Sequence, residues 1–413
     1  MSLSIKPIKG ARDFYPEDMR LQKYLFGVMR SVCERFGYEE YDAPILEPTV
    51  LYLSKGNEEI VREQTYTFKD RGDRSVTLRT EMTPSVSRMV AAKRQELAYP
   101  LRWYSIPQCW RYERMQRGRG REFYQLNVDI FGVEDISADL EMIIMADAIL
   151  KAYGAKPQMY EIRVNSRKDL NQRIEKAGIK TSLAEVMRLI DKYEKLETTD
   201  FMAKLTAQVD SPNELMQYLA KGTAGKDLQD LISRAKTAGV TNIKFVPTIA
   251  RGFDYYTDIV FEVFDVNPDN NRSMFGGGRY DGLVELFGAD SLPAAGFAMG
   301  DITLRNFLET NGLLPKLLSE TDIYVILMGD VFDASQKPIL ELREMGLNVA
   351  VDSTGRKADK QIKSAVKKGV RYALFIGEKE LQSQQFTLKD LQTGKELIQS
   401  LKSIASFVKA SRA

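Results

Sequence analysis

WRYERMQRGRGREFYQLNVDIFG, residues 110–132, is aromatic and alternating at both ends and basic in the middle. That pattern predicts two antiparallel strands joined by a glycine-containing loop over Met115–Gly120. Five arginines, Arg111, Arg114, Arg117, Arg119 and Arg121, fall within eleven residues, a density of guanidinium groups suited to a triphosphate. A solvated hairpin would also carry charge. The period of two decides between these readings, because Arg111 and Glu113 share one strand face and Gln125 and Asp129 share one on the partner. A floor of Arg, Glu, Gln and Asp suits a polar substrate pocket better than a core.

Upstream, Leu21, Tyr24, Leu25, Val28, Met29, Val32 and Phe36 recur at spacings of three and four, which predicts an amphipathic helix over 18–36 with Gly37 as its stop. Residues 66–80 read as strand, turn, strand, and 83 onward as a helix with Pro84 in its first turn. Downstream, 137–153 is helical, and from about 165 to 239 charged helices replace the strand signals. Strands return with IARGFDYYTDIVFEVF and LPAAGFAMG, which would extend the antiparallel sheet. Past a linker at 311–321, strands alternate with helices, the rhythm of a separate α/β domain. The expected architecture is α+β, with an antiparallel-sheet domain over 1–318, a helical insertion over about 166–242, and an α/β domain over 319–413.

Composition narrows the chemistry. The 413 residues carry 59 basic and 57 acidic side chains, a net charge of +2, so a polyanion must be met by local patches. Two cysteines, Cys33 and Cys109, give neither a disulfide framework nor a zinc site. No signal peptide or long apolar run is evident, so a soluble cytoplasmic protein with no membrane segment is expected. The chain contains no histidine, which removes Ser-His-Asp triads, histidine-ligated metals and histidine acid–base catalysis. What is left suits reactions governed by positioning and charge stabilisation, nucleotidyl transfer foremost.

Two further motifs stand out. RGFDYYT at 251–257 puts an arginine, an aspartate and two tyrosines beside a strand. GGGRYDG at 276–282 offers three glycines for close backbone approach to a ligand. It lacks the endings of a phosphate-binding P-loop and of a dinucleotide turn. Lys360, Lys363, Lys367 and Arg371 fit one helical face, a run that a solvated helix would equally explain.

Taken in order, KGARDFYPEDM, FGYEEYDAPILEP, LRTEMTPSVSR, the 110–132 hairpin, RGFDYYT, GGGRYDGL and a C-terminal GVRYALFIGEKEL with FTLKDLQTG resemble histidyl-tRNA synthetases, a class II aminoacyl-tRNA synthetase family. The likeness spans nearly the whole chain. It implies a ligase that joins histidine to tRNA(His) through a histidyl adenylate, using ATP and Mg2+, as a homodimer built on helix 18–36 and Pro44. Arg111 and Arg251 would carry catalysis at the α-phosphate. Arg111, Glu113, Arg121, Phe123 and Arg305 would hold ATP, with Phe123 stacked on adenine and Arg121 at the far phosphates. Glu81, Thr83 and Gln125 would cradle the α-amino group, and Asp129, Tyr255 and Tyr256 the imidazole. No resident protein-ligated metal is implied. Lys360, Lys363, Lys367 and Arg371 would face tRNA from an anticodon-binding domain.

The sequence departs from the family pattern twice. Asp129 stands where a longer glutamate is common. A cation is expected after Gly300 and two intervening residues, and that position is Thr303; Arg305 lies about 200° round a helix from Gly300's expected partner position. Two non-catalytic relatives remain as alternatives, a regulatory subunit of histidine biosynthesis and a tRNA-sensing pseudo-synthetase. The intact RGFDYYT and C-terminal domain argue against the first.

Overall fold

Helix Pro16–Arg35 begins with proline in its first turn, where a missing N–H costs nothing, and with Glu17 and Asp18 against the positive end of the helix dipole. Leu25, Met29, Val32 and Cys33 form its buried stripe, and Gly37, at φ +78°, supplies the left-handed turn that ends it. The computed structural model describes residues 3–53, 64–114, 116–252 and 254–411. They divide into two units, Met1–Leu314 and Pro315–Ala413.

The strands of the first unit are β1 (Glu39–Glu40), β2 (Leu46–Pro48), β3 (Thr67–Lys69), β4 (Ser75–Leu78), β5 (Leu101–Ser105), β6 (Gln108–Trp110), β7 (Glu122–Phe131), β8 (Tyr160–Ser166), β9 (Ile243–Phe245), β10 (Ile259–Asp265), β11 (Arg272–Arg279) and β12 (Ala294–Gly300). The main sheet runs β1-β5-β7-β12-β11-β10-β8-β9, with β6 added to β7. Its centre, from β5 to β8, is antiparallel, and only the outer pairs β1·β5 and β8·β9 are parallel. The predicted hairpin is present in part: its first strand, broken into β5 and β6 around Pro107, stops at Trp110, so Arg111 and Glu113 lie in the irregular segment past it and not on a strand face. Met115, at the start of the expected loop, and Phe253, within RGFDYYT, lie outside the described residues.

Alternation along the strands separates core from cleft. Leu126, Val128 and Ile130 of β7 join Phe261 and Val263 of β10 in a core beneath helices Pro16–Arg35 and Ser137–Ala152. Phe123, Gln125, Asn127 and Asp129, on the other parity, line an open cleft.

The glycines of GGGRYDG turn out to be mid-strand residues of β11. A Cβ on Gly276 would collide with the carbonyl of Phe261 and stand 3.0 Å from Arg251 Nη1, and one on Gly277 would collide with the carbonyl of Gly296. Their small size therefore serves the approach of neighbouring strands and of an arginine.

Between β8 and β9 stand five helices, Arg167–Lys176, Leu183–Ile190, Thr198–Gln208, Pro212–Lys221 and Lys226–Thr237, an insertion in the order of the strands. The insertion has its own core, with Ile174, Val186, Phe201 and Leu205 fully buried.

The second unit is a five-stranded sheet ordered β14-β13-β15-β16-β17, where β13 is Ile323–Met328, β14 Val349–Val351, β15 Tyr372–Gly377, β16 Phe386–Asp390 and β17 Glu396–Gln399. β14, β13 and β15 are parallel and the rest antiparallel. Helices Phe332–Glu344 and Leu401–Ala410 cover one face through Ile339, Leu342, Ile404 and Val408. Helix Ala358–Lys367 covers the other through Ala365.

Candidate active site

The cleft has a volume of about 590 Å³ and is lined from β7, β10, β11, β12, the hairpin loop, the RGFDYYT segment and residues 190–195 of the insertion. Part of the lining offers acceptors for a cation. Glu81 is buried just ahead of helix Thr83–Lys93, and the Tyr255 hydroxyl donates to its Oε2 at 3.1 Å. Burial pushes the Glu81 carboxyl above its ordinary pKa, against the pull of Arg111, Tyr255 and Arg251. Gln125 Oε1 is buried with no hydrogen-bond partner. A buried, unsatisfied acceptor in the cleft that also holds this carboxylate is a costly arrangement that a bound ammonium would relieve.

Asp129, only 3% exposed, sits deeper on the same strand face. Tyr280 donates to its Oδ1, and Tyr41 donates to Oδ2 at 3.4 Å. Burial raises its pKa to about 7, against the two tyrosine hydrogen bonds. A Cβ on Gly296 would stand 2.5 Å from Asp129 Oδ1, so glycine leaves the carboxylate its space. Tyr255 and Tyr256, with ring centres 4.8 Å apart, form the adjoining wall.

Two arginines of the same lining supply groups for an anion. Arg111 is fixed by its Nε donating to the Thr80 carbonyl at 3.0 Å, and its guanidinium lies 5.4 Å from the centre of the Phe123 ring. Arg251 adopts φ +59°, a strained left-handed backbone for a side chain of this size. Its Nη1 donates to Glu262 at 2.9 Å and its Nη2 to the Gly276 carbonyl at 3.3 Å, while its buried Nε has no partner. Burial works against its charge, yet Tyr256 and Glu262 hold its pKa above the ordinary value. Glu113 also lines the cleft and pairs with Arg119 at 3.1 Å.

Glu81, Thr83, Arg111, Glu113, Phe123, Gln125, Asp129, Arg251, Tyr255 and Tyr256 are thus brought to one cleft. Two expected nucleotide contacts are not. Arg121 lies outside the lining, its guanidinium 3.7 Å from the centre of the Tyr112 ring and its Nε 3.4 Å from the Glu113 carbonyl. Arg305, two positions past Thr303 on helix Asp301–Thr310, also lies outside the lining and stands 3.8 Å from Asp18. Arg272, which sequence reasoning passed over, lines the cleft beside Thr303. Lone arginines at the start of a glycine-rich strand carry no periodic signal, and only its nearness to the GGGRYDG motif pointed there.

In the second unit Lys360, Lys363 and Lys367 are exposed on helix Ala358–Lys367, opposite buried Gln361 and Ala365. Arg371 does not continue that face. Gly369, at φ +69°, breaks the path, and Arg371 precedes β15 with its Nε 3.1 Å from Asp390. Among the described residues no group of three or more Cys, Asp or Glu side chains is arranged to hold a metal ion.

A family profile for histidyl-tRNA synthetase matches residues 10–303, and one for the anticodon binding domain matches 322–411. The histidine–tRNA ligase of Leptospira biflexa is 42% identical over 94% of each chain. That of Thermoplasma volcanium is 36% identical over 99% of each. A crystal structure of histidyl-tRNA synthetase from Nostoc sp. superposes with a TM-score of 0.83 at 23% identity, covering 99% of this chain and 100% of that one.

Proposed function

The chain belongs to the histidyl-tRNA synthetase family and is a histidine–tRNA ligase, and from that premise we propose how its cleft makes histidyl adenylate from histidine and ATP. The observation that carries the reading is the mixed charge of the cleft lining. Glu81, buried Asp129 and the unpartnered Gln125 acceptor line it together with Arg111 and Arg251. A zwitterionic amino acid with an N–H-bearing ring matches that set of groups: ammonium to Glu81, Thr83 and Gln125, imidazole to Asp129, Tyr255 and Tyr256, carboxylate toward the arginines.

Adenylate formation is an in-line displacement. The histidine carboxylate oxygen attacks the α-phosphorus of ATP, and pyrophosphate departs with the bonding pair of the broken P–O bond. Arg111 and Arg251 neutralise the charge that builds on the transferring group, from positions fixed before the substrates arrive. Phe123 stacks on adenine, and Glu113 stands beside it. Mg2+ brought by ATP would take phosphate oxygens and water as most of its ligands. Glu113 and Glu262, which line the cleft, would be the carboxylates to add an oxygen. In the second step a terminal ribose hydroxyl of tRNA(His) attacks the adenylate carbonyl and AMP leaves. An oxygen of the adenylate phosphate takes the hydroxyl proton, so no side-chain base is required.

Residues 1–318 would form the catalytic domain and 319–413 the anticodon-binding domain, with Lys360, Lys363 and Lys367 toward the tRNA backbone. Exposed apolar side chains at Tyr15, Met19, Ile45, Leu46, Val50 and Leu53 support a second copy as partner, giving a homodimer. No helix among the described residues is long and apolar enough to cross a membrane, and the site of action is taken as the cytoplasm. The regulatory alternative is set aside, because the near-full-length curated relatives are ligases. Calorimetric titration of histidine into the enzyme without ATP tests the ammonium site. Glu81→Gln is expected to weaken histidine binding at least about tenfold, the worth of one charge-assisted hydrogen bond. Unchanged affinity would remove Glu81 from the ammonium site.

A further inference from the structure

A base stacked on Phe123 has a second face, and the strand register says what lies opposite it. Gln125 of β7 pairs with Gly300, the last residue of β12. Phe123, two residues away on the same face, therefore stands against the turn into helix Asp301–Thr310. The Tyr124 N–H, donating to Asp301 Oδ1 at 2.9 Å, fixes that alignment. The hairpin loop closes over the same corner: a Cβ on Gly120 would come within 2.9 Å of Ile302 Cδ1.

Thr303 cannot supply charge there, and its hydroxyl is committed to the carbonyls of Met274 at 2.9 Å and Gly300 at 3.1 Å. Arg305 is outside the cleft lining, and Arg119 is paired with Glu113. Arg272 reaches the corner from the neighbouring strand. A Cβ on Gly118 would stand 2.5 Å from Arg272 Nη1 and 3.5 Å from Thr303 Cγ2, so the guanidinium and the threonine methyl flank one point of the loop. Its Nη1 also donates to the Arg117 carbonyl, which aims the side chain.

We propose that Arg272 supplies, from β11, the guanidinium that packs on the adenine face turned away from Phe123. A planar, weakly hydrated cation over an aromatic face gains both stacking and cation–π attraction. The assignment rests on the reading that ATP occupies this cleft, and it gives the base a cation from the strand in place of one from the helix.

Arg272→Gln keeps an N–H donor for the Arg117 carbonyl and removes the charge; Arg272→Lys keeps charge and loses the plane. ATP affinity by calorimetry, together with ATP and histidine KM in pyrophosphate exchange, separates the roles. The glutamine variant is expected to weaken ATP binding by roughly ten- to thirtyfold with histidine KM and melting temperature unchanged, and lysine to recover part of the loss. ATP affinity equal to the parent's in Arg272→Gln would reduce Arg272 to a loop anchor and overturn the proposal. So would equal losses for ATP and histidine, or an ATP defect that appears in Arg305→Ala instead. A parent enzyme that binds no ATP would refute the cleft reading itself, a result distinct from any of these.

Discussion

Replacing Asp129 by asparagine should change how the enzyme's stability responds to pH. The carboxyl is 3% exposed, and burial raises its pKa from the ordinary 3.8 to about 7 against the hydrogen bonds from Tyr280 and Tyr41. Between those values the folded protein keeps a proton that the unfolded chain has released, so stability falls as pH rises. It is fully present below the unfolded pKa and is lost as pH climbs through the folded one. From pH 5 to pH 8 the loss covers about two pKa units, or roughly 3 kcal/mol at 1.36 kcal/mol per unit. Asparagine has the same shape and does not ionise, so it escapes this loss. Any fixed cost of its amide against Tyr41 cancels when the two pH values are compared. The assay is thermal unfolding of parent and Asp129→Asn at pH 5 and pH 8 under one heating rate. The variant's midpoint should gain about 5 °C on the parent's between the two conditions, at about 2 °C per kcal/mol for a unit of this size. A difference between the proteins that is the same at both pH values would refute the claim that Asp129 is held protonated by burial.

Three further outcomes are expected. Arg251→Ala should lower the rate of pyrophosphate exchange by at least about 100-fold with a smaller effect on ATP KM, since its charge acts at the transferring phosphorus; kinetics within a few-fold of the parent would contradict this. Reversing Lys360, Lys363 and Lys367 to glutamate should weaken tRNA binding and flatten its salt dependence while sparing amino-acid activation, as filter binding across a salt series will read out. Tyr124→His should leave both half-reactions within a few-fold, because the Tyr124 ring packs on Phe26 and Phe14, 5.3 and 6.2 Å between centres, and does not line the cleft; a large gain in activity would show that a protein without histidine bears a catalytic cost.

Period-two alternation made much of the site legible, because it does not depend on the rest of the fold. It separated Gln125 and Asp129 from Leu126 and Val128 before any partner strand was known. Features set by tertiary contact were hidden. Tyr41 and Tyr280 reach Asp129 from 88 and 151 residues away, and although both lie in motifs that stand out, nothing local points either hydroxyl at Asp129. The glycines of β11 read as a ligand loop because a run of Gly is the same whether it clears space for a ligand or for a strand. Extending the lysine face to Arg371 ignored Gly369, a stop signal in plain view. Strands β8 and β9 escaped notice because Glu161, Arg163 and Lys244 on their outer face pair with one another across the sheet and imitate the charged helices beside them.

The most direct test of the central claim is exchange of labelled pyrophosphate into ATP, run with each of the twenty amino acids in turn and followed by charging of tRNA(His). Exchange is expected with histidine above all others and is lost in Arg111→Ala, and the histidyl group is transferred to the tRNA. Exchange driven better by another amino acid, or no histidine-dependent exchange by the folded enzyme, would contradict that claim.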